Sequence, residues 1–165
     1  MKNLDFIYNR KSIRKFKDIE VQEEDIIKML DAAIHAPSPK NQQTWHFVVI
    51  QNNELINKIA DIVKKAEIVN DSIAIALCED TKSKDISLLC AKAADELLTI
   101  SDVTASFVLG LMEDGKVCIS GRSIGDVNVQ MILEKLGGGG HITLAGAQLE
   151  NVTIDEAKQE LISKI

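Results

Sequence analysis

Four consecutive glycines, Gly137 to Gly140, run straight into His141, with an apolar stripe before them and a β-rich run after them. No other stretch restricts the fold as much. Val129, Ile132, Leu133 and Leu136 recur at helical spacing, so the glycines leave a helix, and Ile142 to Leu149 reads as the strand they enter. Gly137 suits the left-handed residue past the helix end. The order helix, glycines, strand excludes P-loop and dinucleotide folds, which need their glycines ahead of a helix. Glycines accept positive φ, expose consecutive N–H groups and leave room for a phosphate or a flat base. One reading of the bend between Leu136 and Ile142 is therefore a nest whose amide hydrogens converge on an anion. The plainer reading is one glycine for the helix end and three for a flexible loop, with His141 a structural histidine. Against it, a loop that needs only flexibility gains little from a histidine fixed at strand entry.

The rest of the chain alternates helices and strands. Ile26, Ile27, Leu30, Ala33 and Ile34 mark a helix that Pro37 ends, and Trp45 to Ile50 reads as a strand with Trp45 and Phe47 packed on the core. Asn53 caps the next helix, whose Leu55, Ile59, Ile62, Val63 and Ala66 run on without a linker. Ser72 to Cys78 reads as a strand, and Ile86, Leu89, Cys90, Ala93 and Leu97 as one helix face. Val103 to Met112 and Lys116 to Ser120 flank Glu113-Asp114-Gly115, a hairpin turn signal. Asp126 caps the helix before the glycines. Thr153 with Glu156 forms a capping box for a last helix that turns Ala157, Leu161, Ile162 and Ile165 inward. The fold class is α/β or α+β: a mixed sheet with flanking helices, and an N-terminal helical and strand segment joined to it through a shared helix.

Charge and composition limit the function. With 19 basic and 25 acidic side chains the net charge is −6, which argues against non-specific nucleic-acid binding. The longest apolar runs, Ile73 to Cys78 and Phe107 to Met112, fall well short of the ~18 residues of a membrane span. Lys2 and Asp5 flank too little apolar sequence for a secretory leader, so a cytoplasmic location is expected. Cys78, Cys90 and Cys118 match no zinc or redox spacing and read as reduced, buried small hydrophobes. Residues 1–63 hold both prolines and five of the six aromatics, whereas all nine glycines and all three cysteines follow. The two parts differ enough to suggest different origins, with a boundary at 63/64 inside one helix.

In the second part, KVCISGRSIGDVNVQMILEKLGGGGHITLAGAQ (Lys116 to Gln148) resembles the C-terminal, DHH-associated domain of DHH-family phosphoesterases. AKAADELL (Ala91 to Leu98) resembles their cyclic-di-AMP phosphodiesterase branch. The likeness runs from about Ala66 to the C-terminus. It implies a substrate-binding domain for a nucleotide or cyclic dinucleotide, in which Arg122 and Ser123 face the ligand, Asn128 sits at its rim, and Gly138, Gly139, Gly140 and His141 cradle a phosphate. An arginine fork suits a phosphate; the alternative for Arg122 is an exposed residue at a hairpin end. In that family a separate domain holds two metal ions, manganese, on aspartates and histidines. This sequence has only His35, His46 and His141 and no Asp-His-His run, so no hydrolytic centre is expected from it. Glu23-Glu24-Asp25 and Glu113-Asp114 read instead as a helix first turn and a turn. The resemblance leaves room for a homodimer.

In the first part, Arg10, Lys11, Arg14, Lys15 and Lys17 surround Ser12, which alone reads as a solvated face. Together with APSPKNQQTWHFVVI (Ala36 to Ile50), however, RKSIRKF resembles the opening of the FMN-dependent nitroreductases over residues 3 to 63. That likeness implies Arg10, Ser12 and Arg14 at the FMN phosphate, and Asn41 and Gln43 hydrogen-bonding the flavin or ribityl chain. Nothing of the family is recognised after Ala66. Three readings follow: a nucleotide-binding domain without its catalytic metals, an FMN-dependent oxidoreductase, or a non-functional fusion of the two families.

Overall fold

The computed structural model describes residues 8–12, 17, 19–43, 45, 47, 49–79 and 85–165. The chain divides into two compact units, Met1–Val49 and Ile50–Ile165.

In the first unit, α1 (Glu23–Ile34) opens on Glu23, Glu24 and Asp25, whose charges suit the positive end of a helix, and it stops ahead of Pro37. Ile26, Leu30 and Ala33 of its stripe are half-buried, while Ile27 and Ile34 are exposed. A short 3-10 turn, Pro39–Asn41, follows, held by the Gln43 N–H donating to Ser38 Oγ at 3.0 Å. The strand expected over Trp45 to Ile50 is not observed: Trp45, Phe47, Val49 and Ile50 have no strand pairing, and His46 and Val48 lie outside the described residues. Phe47 is 43% exposed and so occupies no core position. A strand needs a neighbour for its backbone groups, and alternation along the chain does not supply one.

The second unit runs α2 (Asn53–Lys64), β1 (Glu67–Val69), β2 (Ile73–Cys78), α3 (Ile86–Leu97), β3 (Ala105–Leu111), β4 (Val117–Ser123), α4 (Val129–Glu134), β5 (Gly139–His141), β6 (Leu144–Leu149) and α5 (Ile154–Ile162). The strands form one sheet in the order β1-β2-β3-β4-β6-β5. β2 and β3 are parallel, as the α3 crossover between them requires, and every other neighbouring pair is antiparallel. β2 is apolar at every position because helices cover both its faces.

Each face of the sheet carries its own core. On one, Phe107, Leu109, Ile119 and Ile75 pack with Val129, Leu133, Ala157 and Leu161 of α4 and α5. On the other, Ala76, Val108 and Cys118 pack with Leu89, Cys90, Ala93 and Leu97 of α3, and Ile62 of α2 joins them. Ser106 Oγ is buried there and donates to the Ala94 carbonyl at 2.7 Å. All three cysteines are buried and outside any disulfide, Cys90 and Cys118 with their sulfurs 3.9 Å apart.

Two helix caps differ from expectation by one or two residues. Asn52, not Asn53, caps α2, its Oδ1 accepting from the Glu54 and Leu55 N–H groups. Asn128, not Asp126, caps α4, accepting from the Met131 N–H at 3.1 Å. In each case the carboxamide sits directly before the first helical residue, which is where its oxygen reaches the second or third free amide. The β3–β4 hairpin turns through Glu113-Asp114-Gly115 as the sequence indicates, with Gly115 at φ 83°.

Candidate functional site

The glycine run does two structural jobs before it can do a functional one. Gly137 (φ 74°) donates its N–H to the Glu134 carbonyl, and the Gly138 N–H donates to Leu133, which together close the end of α4 in a Schellman motif. The chain then enters β5 at Gly139 and pairs with β6. The expected nest of converging amides is therefore not formed: two of the four amides are bonded inside the helix end, and the next two belong to a strand. The strand expected over Ile142 to Leu149 is β6, which starts two residues later at Leu144, and β5 precedes it as the other arm of a hairpin with Ile142 and Thr143 at its tip. Helix-end geometry and strand pairing each satisfy backbone donors at the cost of the anion nest.

The glycines are not equivalent. A Cβ on Gly138 would run into the Gly146 carbonyl and Ala147, and one on Gly140 (φ 148°) into Leu144 and Ala145. These two are glycine because β5 lies hard against β6. A Cβ on Gly139 would meet nothing, and one on Gly146 only Ile119 O, at 3.4 Å, an ordinary contact. Gly139 and Gly146 are register partners.

Register aligns the rest. Ser120 of β4 pairs with Gly146, and Gly146 with Gly139, making one row across three strands. Arg122, Leu144 and His141 make the next row, and Cys118 and Gln148 lie opposite one another on the other side. Side chains of register partners share a face, and Cys118 belongs to the α3 core, so these rows lie on the α3 side of the sheet. α3 packs on β3 and β4, which leaves β6 bare on that side: Leu144, Gly146 and Gln148 are exposed, whereas Ala145, Ala147 and Leu149 are buried on the other. A surface pocket of about 500 Å³ opens over this bare area, lined by Ser87, Cys118, Ser120, Gly137 to Gly139, Gly146 and Gln148 among others.

Of the residues expected at a ligand, Arg122 and His141 share the α3-side face with Gly139, His141 being exposed. Arg122 Nε donates to Asp95 Oδ1 of α3 at 2.7 Å, and Nη1 donates to the Gly121 carbonyl. Ser123, next to Arg122 in a strand, necessarily points to the opposite face; it is buried and its hydroxyl donates to the Ile142 carbonyl at 3.4 Å. Its N–H donates to Thr143, so it pins the hairpin tip. Asn128 is engaged as the α4 cap. Sequence reasoning missed Ser87, Ser120, Gly146 and Gln148; the alternation in Leu144 to Leu149 held the signal, but not which face was uncovered. Cys118, on the pocket floor, has its thiol lowered to about 7 chiefly by the hydrogen bond from Cys90, against the opposing effect of burial.

In the first unit, Arg10, Ser12, Asn41 and Gln43 are all exposed, and Arg14 lies outside the described residues. Asn41 and Gln43 hold left-handed φ angles of 53° and 50°. Among the described residues no group of three His, Cys, Asp or Glu side chains is placed to hold a metal ion. Among them, too, no helix is long and apolar enough to cross a membrane.

Comparison with known proteins finds two families, whose matched residues overlap over 70–116. The nitroreductase family profile matches residues 7–116, past the boundary expected at 63, and the DHHA1 domain profile matches residues 70–165. A cyclic-di-AMP phosphodiesterase of Geobacillus thermodenitrificans is 52% identical over 104 residues, which is 63% of this chain and 16% of that protein. A cyclic-di-AMP phosphodiesterase of Listeria monocytogenes is 46% identical over the same length. This chain thus spans about a sixth of those relatives. A candidate NADH dehydrogenase/NAD(P)H nitroreductase of Archaeoglobus fulgidus is 41% identical over 80 residues, covering 48% of this chain and 46% of that protein. Among solved structures, an exopolyphosphatase-related protein from Bacteroides fragilis superposes with a TM-score of 0.58 at 17% identity, over 87% of this chain and 39% of its own, a likeness of fold. The chain is a fusion that belongs to two families, the nitroreductases through its first two-thirds and the DHHA1 domains through its last 96 residues.

Proposed function

We propose that residues 64–165 form a binding domain for a nucleotide or cyclic dinucleotide, with a ligand phosphate held between Arg122 and His141. What carries this reading is the register: the one arginine and the one histidine of the GRS and GGGGH segments fall in the same row of the sheet, on the face that α3 leaves bare. Arg122 keeps donors beyond the two it uses on Asp95 and Gly121, because a guanidinium has five. Gly139, with no side chain in the way, lets a ligand approach the backbone beside His141. The relatives that match this part are phosphodiesterases, and hydrolysis by this chain would need a metal-bearing domain beyond these residues. A cytoplasmic location accords with a nucleotide ligand.

Isothermal titration of the full chain with cyclic di-AMP and with its linear dinucleotide tests the reading. Saturable heat with at least one of them, weakened in His141→Ala, is the expected result. No heat at high micromolar ligand overturns it.

The nitroreductase match supports a second reading, FMN bound through Arg10, Ser12, Arg14, Asn41 and Gln43. The described members of that set lie on the surface of the first unit, which gives the flavin ring no enclosing wall from these residues. The first reading is favoured for that reason.

A further inference from the structure

Glycine inside a strand weakens it, because it loses more backbone entropy than other residues and offers no side chain to pack. Gly138 and Gly140 are explained by the close approach of β6, and Gly137 and Gly140 also by their φ angles. Gly139 and Gly146 have neither excuse. Each would accept a side chain at little steric cost, yet they sit side by side across β5 and β6 and leave a patch of bare backbone. The pocket of about 500 Å³ stands over that patch.

The polar groups around it point the same way. Ser120 is the register partner of Gly146 on one side, and Gln148 lies two residues along β6 on the same face. Neither side chain has a hydrogen-bond partner among the described residues, and both line the pocket. Ser87 of α3 stands at the opposite wall, its hydroxyl 4.0 Å from the Met112 sulfur and also hydrogen-bonded to the Cys118 thiol. A floor of bare backbone at Gly139 and Gly146 beside the small Cys118 side chain, edged by a hydroxyl and a carboxamide, matches a planar heterocycle laid against the strands. A carboxamide offers a donor and an acceptor side by side, which suits a base edge such as adenine N6 and N7.

We infer that the Gly139–Gly146 patch is the base subsite of this domain, with Gln148 and Ser120 reading the edge of a purine whose phosphate lies toward Arg122 and His141. This rests on the phosphate reading above and adds the part of the site that selects the base.

The test compares AMP with ribose 5-phosphate, which carries the phosphate and sugar but no base, on the full chain. Wild type should bind AMP at least about tenfold tighter. Gln148→Leu and Gly146→Val should each remove most of that preference and leave ribose 5-phosphate affinity unchanged, because neither touches Arg122 or His141. A Cβ at Gly146 makes only an ordinary contact, with the Ile119 carbonyl at 3.4 Å, and an intact unfolding transition in Gly146→Val separates lost binding from lost folding. AMP preference retained in both variants, or absent in wild type that still binds ribose 5-phosphate, overturns the base subsite and leaves the phosphate reading standing. Binding of neither probe by wild type overturns the base subsite, and the phosphate reading then stands or falls on the dinucleotide titration.

Discussion

Arg122 of β4 and Asp95 of α3 form a 2.7 Å ion pair across the edge of the α3 core, with the Arg122 side chain only 14% exposed and Asp95 at 44%. The pair fastens the helix to the strand and sets the plane of the guanidinium that the proposed site uses. Removing either side chain should cost about 1 kcal/mol, and the double variant less than the sum, with a coupling of about 0.5 kcal/mol because Asp95 is largely solvated. Urea denaturation of the four proteins in the cycle measures it. Strict additivity would mean the contact contributes nothing.

Adjacent glycines should separate stability from binding. Gly140→Ala places a Cβ against Leu144 and Ala145 at a φ of 148°, and should cost at least about 1–3 kcal/mol. A Cβ at Gly139 meets nothing within 4 Å, so Gly139→Val should stay within about 1 kcal/mol of wild type while abolishing nucleotide binding. Denaturation and titration on the same preparations check both halves. Normal binding by Gly139→Val removes Gly139 from the site.

Leu133 is fully buried on α4, in the core that α4 and α5 make with the sheet, and its methyl lies beside Gly121 and Phe107. Leu133→Ala should lower stability by about 2–5 kcal/mol through lost burial and the cavity left behind. A midpoint shift of under half that range in chemical denaturation would show that the neighbours collapse to fill the space.

The start of α5 should respond to acid. The Glu156 carboxylate accepts from the Thr153 N–H and hydroxyl, both at 2.8 Å, and those bonds hold its pKa below the usual carboxylate value. A lowered folded pKa means the contribution is complete above the unfolded pKa and disappears as pH falls through the folded one. The stability gap between wild type and Glu156→Ala should therefore be constant near neutrality and close at acid pH. A gap that persists unchanged there would assign the cap to the Thr153 hydroxyl alone.

Flavin gives a check on the first unit. Arg10, Ser12, Asn41 and Gln43 are exposed, so the purified protein should be colourless and added FMN should keep its free fluorescence. Saturable quenching, or a yellow protein with bound flavin absorbance, would instead favour the oxidoreductase reading.

Local chemistry was readable from the sequence wherever it acts over a few residues. The Thr153–Glu156 capping box, the Glu113-Asp114-Gly115 turn, the left-handed Gly137 and the stripe through Leu133 all stand as expected, because each depends on spacing within one turn or one hairpin. The three cysteines lie buried among apolar neighbours, as their surroundings implied. The two motif sets also marked both families. Errors appeared where a partner far along the chain decides. Trp45 to Ile50 has the alternation of a strand, but its described residues enter no sheet pairing, and alternation alone supplies no neighbour for the backbone groups.

The four glycines show the division most sharply. Their order after a helix and before a β-rich run determined, without any coordinates, that the chain must turn there and that dinucleotide folds were excluded. Only the tertiary structure decided what each glycine is for: the Gly137 and Gly138 amides close a helix, Gly138 and Gly140 are forced by the approach of β6, and Gly139 is left open beside Gly146. The physical reason is that a backbone amide bonds to whatever lies nearest in space. Which strand lies there, and which face of it a helix leaves bare, depends on sheet pairing that brings Ser120, Gly139 and Gly146 together from three separate strands.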